Sequence, residues 1–242
     1  MRRSQRRTRS LLVAGAVLLS AAPFLCPASA ADEDPALEQK TMESGGVERT
    51  YRVHLPPSYD GEEEVPLVVA IHFGGGNSRI LERLSKLSEY ADQAGFAVAY
   101  PEGYRTAWGG PDLVTPSVRD GVDDAAFISA LIDRIAGDYQ IDARRVYVAG
   151  MCNGSLLAQV VGYELADKVA AVALYTAFMT EGFRNAYPDP PPRPMPILQI
   201  NGTADTFIKW DGGIPPGLGN NGLPVRVGVE RWAEVNGCSK IP

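Results

Sequence analysis

The chain has 242 residues with 23 Lys and Arg against 29 Asp and Glu, a net charge of −6, and 45% hydrophobic residues. That length suits one sizeable domain plus a targeting segment, and an acidic balance excludes the basic footprint that nucleic-acid binding requires. No metal-ligand spacing and no phosphate-cradling glycine loop before a Lys-Ser/Thr pair occurs, so no cofactor or metal is expected.

In chain order, residues 1–30 carry Arg2, Arg3, Arg6, Arg7 and Arg9, an apolar run from Leu11 to Leu25, and Ala28-Ser29-Ala30. These are the three regions of a secretory signal peptide, with cleavage expected after Ala30. The interruptions at Gly15, Ser20 and Pro23 make a membrane span a poor reading. The arginine pairs leave both the general and the twin-arginine export routes open. Cleavage removes five basic residues and no acidic ones, taking the net charge to −11, and the mature chain is expected to be secreted, without membrane attachment. Residues 31–46 read as a flexible extension and 47–242 as one α/β domain.

Within that domain, Tyr51 to Leu55 alternates and stops at Pro56-Pro57, as an early antiparallel strand does. PLVVAI at 66–71 is a continuous apolar run, the mark of a strand covered on both faces. Ile80, Leu84, Leu87, Ala91 and Ala94 recur at helical spacing and predict one amphipathic helix. Phe96 to Tyr100 is the next strand. A loop from Tyr104 to Gly121, with Trp108, is expected to line a cleft. Asp123 and Asp124 cap a helix whose stripe is Ile128, Leu131, Ile132, Ile135 and Tyr139. Strands follow at Arg145 to Ala149, Val169 to Tyr175 and Pro196 to Ile200, and a last helix carries Val225, Val229, Trp232 and Val235. Strands alternating with helices imply a mainly parallel sheet.

Three segments carry chemistry. Gly150-Met151-Cys152-Asn153-Gly154 lies between a β-branched run and a helix-length stretch. It reads as a nucleophile elbow, G-x-S-x-G, with cysteine for serine. The start of that helix is expected to favour the thiolate and lower the Cys152 pKa. His72-Phe73-Gly74-Gly75-Gly76-Asn77 follows the PLVVAI strand, where glycines let backbone N–H groups face a developing oxyanion. Asp205 follows the Pro196 to Ile200 strand, at the place of a triad acid in this chain order.

PLVVAIHFGGGN, AYPEG, VDDAAF, RVYVAGMCNGS, PILQINGTADTFIKWDGG and VERWAEVNGC, taken in order, resemble the secreted polyhydroxybutyrate depolymerase and feruloyl esterase family of α/β-hydrolases. The resemblance runs from about residue 47 to the last residue. It implies an α/β-hydrolase fold and a cofactor-free carboxylic ester hydrolase acting on polyhydroxyalkanoate or on hydroxycinnamoyl esters of plant polysaccharide. It places Cys152 at the nucleophile, Asp205 at the triad acid, and Gly74 and Asn153 at the oxyanion hole. Cys152 replaces the family's serine, Phe73 stands for the glycine of its His-Gly pair, and Ser155 for a further glycine. The family's triad histidine lies beyond the last helix, so the chain is expected to lack the last strand, histidine loop and terminal helix, to expose apolar surface at the sheet, and to be an impaired esterase. His54 and His72, the two histidines in the sequence, both precede the nucleophile and read as structural. The G-x-C-x-G elbow also resembles dienelactone hydrolase-like cysteine hydrolases. A third reading is a secreted, non-catalytic homologue that binds an ester or polymer ligand.

Overall fold

The computed structural model describes residues 37–213 and 222–239. The expected signal peptide and cleavage site lie outside the described residues. Among those described, seven strands form one sheet: β1 (Gln39–Ser44), β2 (Val47–His54), β3 (Val65–Ile71), β4 (Ala97–Pro101), β5 (Ile141–Met151), β6 (Ala171–Tyr175) and β7 (Ile197–Ile200). Their order is β1-β2-β4-β3-β5-β6-β7. β1, β2 and β4 pair antiparallel, and β4, β3, β5, β6 and β7 run parallel. This is the mainly parallel α/β sheet that the alternating pattern predicts.

β3 sits mid-sheet, with Leu67, Val69 and Ile71 at 0% exposure on one face and Ala70 buried beside half-buried Val68 on the other. β1 departs from the expected flexible extension. Gln39 pairs with Arg52 and Ser44 with Val47 across a two-residue turn, Gly45-Gly46, whose φ values of 58° and 76° match a tight hairpin. Arg52 fastens the start by donating to the Leu37 carbonyl at 2.6 Å and to Gln39 Oε1 at 2.8 Å. QKTMES has no apolar alternation, because an edge strand held by backbone pairing needs little.

Seven helices accompany the described sheet: α1 (Ser78–Ser85), α2 (Leu87–Ala94), α3 (Pro116–Asp120), α4 (Asp124–Asp138), α5 (Asn153–Glu164), α6 (Glu181–Ala186) and α7 (Val225–Val235). The single amphipathic helix expected over Ile80 to Ala94 is two helices. Lys86 turns left-handed at φ 53°, its N–H returns to the Glu82 carbonyl, and the Leu87 N–H bonds the Ser85 hydroxyl instead of continuing the first helix. The buried side is consequently Ser78, Leu81 and Ala91, with Ile80 and Leu84 turned outward. α3 is short and falls within the loop expected from Tyr104 to Gly121, and α6 is a further short helix between β6 and β7.

α4, α5 and Trp232 of α7 share the main core with one face of the sheet. α1 and α2 cover the other face at β3 and β4, around Ala70, Val98 and Tyr100. Beyond that cover, Tyr175, Leu198 and Ile200 are half-exposed, beside a groove of about 580 Å³ floored by Ala149 and Ala173. No described helix is long and apolar enough to cross a membrane.

Candidate active site

The elbow is built by backbone sterics. β5 ends at Met151, α5 begins at Asn153, and Cys152 between them has φ 53° and ψ −115°, a conformation costly for any residue with a side chain. Its N–H is held by the Tyr175 carbonyl of β6 at 3.0 Å. A Cβ on Gly150 would lie 2.3 Å from the Gly154 carbonyl oxygen, and one on Gly154 would lie 2.5 Å from the carbonyl oxygens of Ile71 and His72. Both glycines of the motif are therefore demanded by close approach. Ser155 is fully buried and donates its hydroxyl to the Cys152 carbonyl at 2.6 Å, which takes it out of the chemistry.

The glycine loop packs directly on the elbow. A Cβ at Gly74 would touch the Asn153 Cβ at 3.4 Å, so the two backbones run side by side. Gly75 turns at φ 76° and donates its N–H to the Thr106 carbonyl at 2.8 Å. Asp205, in the loop after β7, accepts the N–H groups of Phe207 at 2.8 Å and Ile208 at 3.0 Å on Oδ1. Its charge reaches the Cys152 sulfur. Cys152, Asp205, Gly74 and Asn153 thus gather beyond the carboxyl ends of β3, β5 and β7, where open parallel sheets place their sites.

The Cys152 thiol departs from expectation. Burial pushes its pKa up and the Asp205 carboxylate adds to the rise, against a smaller lowering by the Asn153 backbone N–H. Desolvation of the half-buried sulfur outweighs the helix terminus.

Both histidines are committed elsewhere, as structural histidines. His54 Nε2 meets Asp92 Oδ1 at 2.7 Å. His72 is fully buried and accepts the Gly103 N–H on Nε2 at 2.9 Å, so Nδ1 carries the proton and donates to the Phe73 carbonyl at 2.7 Å. Burial lowers its pKa, with the Phe73 carbonyl, Glu102 and Asp124 pulling the other way, and the ring is neutral.

Trp108 does not line a cleft, because it is fully buried. Its backbone N–H donates to Asn153 Oδ1 at 2.8 Å, its carbonyl accepts from Asn153 Nδ2 at 3.1 Å, and its indole N–H donates to the His72 carbonyl at 2.8 Å. Asp123 caps α4 through the Ala126 N–H, whereas Asp124, also expected as a cap, turns inward. It accepts the Gly109 N–H at 2.6 Å and Arg49 at 2.8 Å. Arg49 also donates to the Glu102 carbonyl at 3.1 Å and stacks 3.9 Å from the Phe127 ring centre. The doubled acid in VDDAAF was the only trace of this buried pair in the sequence, and nothing local marked Arg49 as its partner.

Known proteins resemble this chain in sequence and in fold. A family model described as Esterase PHB depolymerase matches residues 49–187. "Putative esterase NocK" of Nocardia uniformis subsp. tsuyamanensis is 32% identical over 173 residues, covering 69% of this chain and 48% of the relative. "Feruloyl esterase B" of Piromyces equi is 28% identical over 195 residues, covering 78% of this chain and 36% of the relative. The chain therefore spans about half the length, or less, of these curated relatives. A solved thermostable esterase superposes with a TM-score of 0.60 at 19% identity, over 83% of this chain and 52% of that one, a likeness of fold.

Proposed function

The chain belongs to the esterase PHB depolymerase family, and from that membership we propose that it is a secreted carboxylic ester hydrolase working by acyl transfer through Cys152. In this reading the Cys152 thiolate attacks the ester carbonyl, and the alcohol leaves with a proton from solvent. The N–H groups of Gly74 and Asn153 receive the oxyanion, Asp205 supplies the acid of the triad, and water then cleaves the thioester. The observation that carries the reading is the backbone of Cys152 at φ 53°, ψ −115°, presented at the head of α5 against the Gly74 loop. A strained nucleophile beside backbone donors is what acyl transfer needs. Short polyhydroxyalkanoate esters and hydroxycinnamoyl esters on polysaccharide are the proposed substrate classes. Phe207 and Trp210, exposed close after Asp205, offer apolar surface to such acyl groups.

Turnover by the 242-residue chain is expected to be slow. General acid–base assistance contributes about 10²–10⁴-fold, and both ring nitrogens of His72 are engaged while Nε2 of His54 is held by Asp92. The same observation favours a second reading, in which an ester or polymer is bound without turnover. Hydrolysis of p-nitrophenyl acetate and methyl ferulate, with and without Cys152→Ala, separates the two. Slow turnover lost in Cys152→Ala supports the hydrolase. Binding of methyl ferulate with no cleavage in either form supports the second reading.

A further inference from the structure

We propose that Trp108 is a positioning residue that clamps the nucleophile elbow to the glycine loop and so sets the spacing of the Gly74 and Asn153 N–H groups. The inference rests on the ester-cleaving reading above. Asn153 is fully buried, and both polar atoms of its carboxamide are spent on Trp108, one on the N–H and one on the carbonyl. The indole reaches the opposite way. Its N–H ends on the carbonyl of His72, two residues before Gly74, and its ring lies 5.0 Å from the imidazole. The circuit Asn153, Trp108, His72, Phe73, Gly74 closes where Gly74 meets the Asn153 side chain.

The segment carrying Trp108 is itself constrained. Arg105 and Thr106 are consecutive left-handed residues at φ 48° and 65°, a backbone that persists only where surroundings over-determine it. The Thr106 carbonyl holds Gly75, and the Asp124 carboxylate holds Gly109, so the tryptophan is pinned on both sides. A residue required only to fill the core could be phenylalanine. What demands tryptophan is a donor for a carbonyl that no water reaches. Loss of that donor leaves the His72 carbonyl unpaired and lets the glycine loop drift from the elbow. Oxyanion donors act at about 2.7–3.1 Å, and a displacement of about 1 Å costs about 10²-fold in rate.

Cys152 reports on the clamp through two reactions. Acetylation by p-nitrophenyl acetate joins sulfur to the acyl carbon and expels p-nitrophenolate through an oxyanion. Alkylation by iodoacetamide displaces iodide without one. Single-turnover rates of both are read by intact mass, with melting temperature as the folding control. Trp108→Phe and Asn153→Ala, which both keep the Asn153 backbone N–H, should each slow acetylation about 10-fold or more while leaving alkylation within about twofold. The double variant should be little worse than the worse single one, because both act through one circuit. Acetylation unchanged, acetylation and alkylation falling together, or additive effects in the double variant would each overturn the clamp while leaving the hydrolase reading intact. A wild-type Cys152 that alkylates but never acetylates would overturn that reading, and the clamp with it.

Discussion

Gly154→Ala probes the elbow where it is tightest. The new methyl carbon would meet two main-chain carbonyl oxygens at 2.5 Å, from Ile71 and His72, and the Ile71 Cγ2 at 2.9 Å. Carbon and oxygen settle no closer than about 3.3 Å. The first turn of α5 and the end of β3 must therefore part by about 0.8 Å. Neither carbonyl can rotate aside, since both belong to the strand end and the glycine loop. Overpacking costs about 1–3 kcal/mol, and two backbone contacts put this variant in the upper part of that range. In a domain of this size each kcal/mol moves the melting point by about 2–4 °C, so a loss of about 4–12 °C is expected by circular dichroism. The same parting moves Gly74 away from Asn153, so acetylation of Cys152 should slow as well. Gly137→Ala near the end of α4 is the contrasting control. Nothing lies within 4 Å of its added carbon, and it should gain about 0.5–1 kcal/mol from helix propensity. A Gly154→Ala protein melting within about 1 °C of wild type would refute the steric account of the elbow.

Arg49→Met strands the buried Asp124 carboxylate and should cost about 3–5 kcal/mol in urea unfolding; a loss under about 1 kcal/mol would show the pair to be solvent-screened. The pH–rate profile for alkylation of Cys152 should have its midpoint above the ordinary thiol value of about 8.5, and Asp205→Asn should lower it by removing a negative charge from beside the thiolate. A wild-type midpoint below the ordinary value would contradict the burial argument. His72 is neutral when folded, with its pKa below the ordinary value, so the unfolded chain takes up the proton first as pH drops. Its stabilising effect is complete above about pH 6.5 and lost below it, so unfolding free energy should fall more steeply there in wild type than in His72→Gln; parallel curves would argue against a neutral His72.

Most of the sheet was legible because buried parallel strands and amphipathic helices leave a periodic record. PLVVAI, the Ile128 to Ile135 stripe and the elbow glycines all did so. What escaped was held by backbone pairing or by long-range polar contacts, which leave no period. β1 is an edge strand of mostly polar residues. The break at Lys86 is a single left-handed residue inside an apolar repeat that continues through it. The site was legible in its backbone-demanding parts, since only glycine fits at 150 and 154. The Cys152 thiol was misjudged because a helix N-terminus can be read from sequence and the desolvation around it cannot. Trp108 reads as a cleft residue when composition is the only guide. Its burial depends on Asn153, 45 residues away, and on Asp124 turning inward beside its own capping neighbour.

Cys152 is proposed as the nucleophile of an ester-cleaving site. Brief exposure of the folded chain to p-nitrophenyl acetate, acid quench and peptide mapping tests it most directly. A stoichiometric release of p-nitrophenolate is expected, with one acetyl group on Cys152, none on Cys238, and neither release nor label in Cys152→Ala. Release that persists in Cys152→Ala, or an acetyl group found on any other residue while Cys152 stays free, would contradict it.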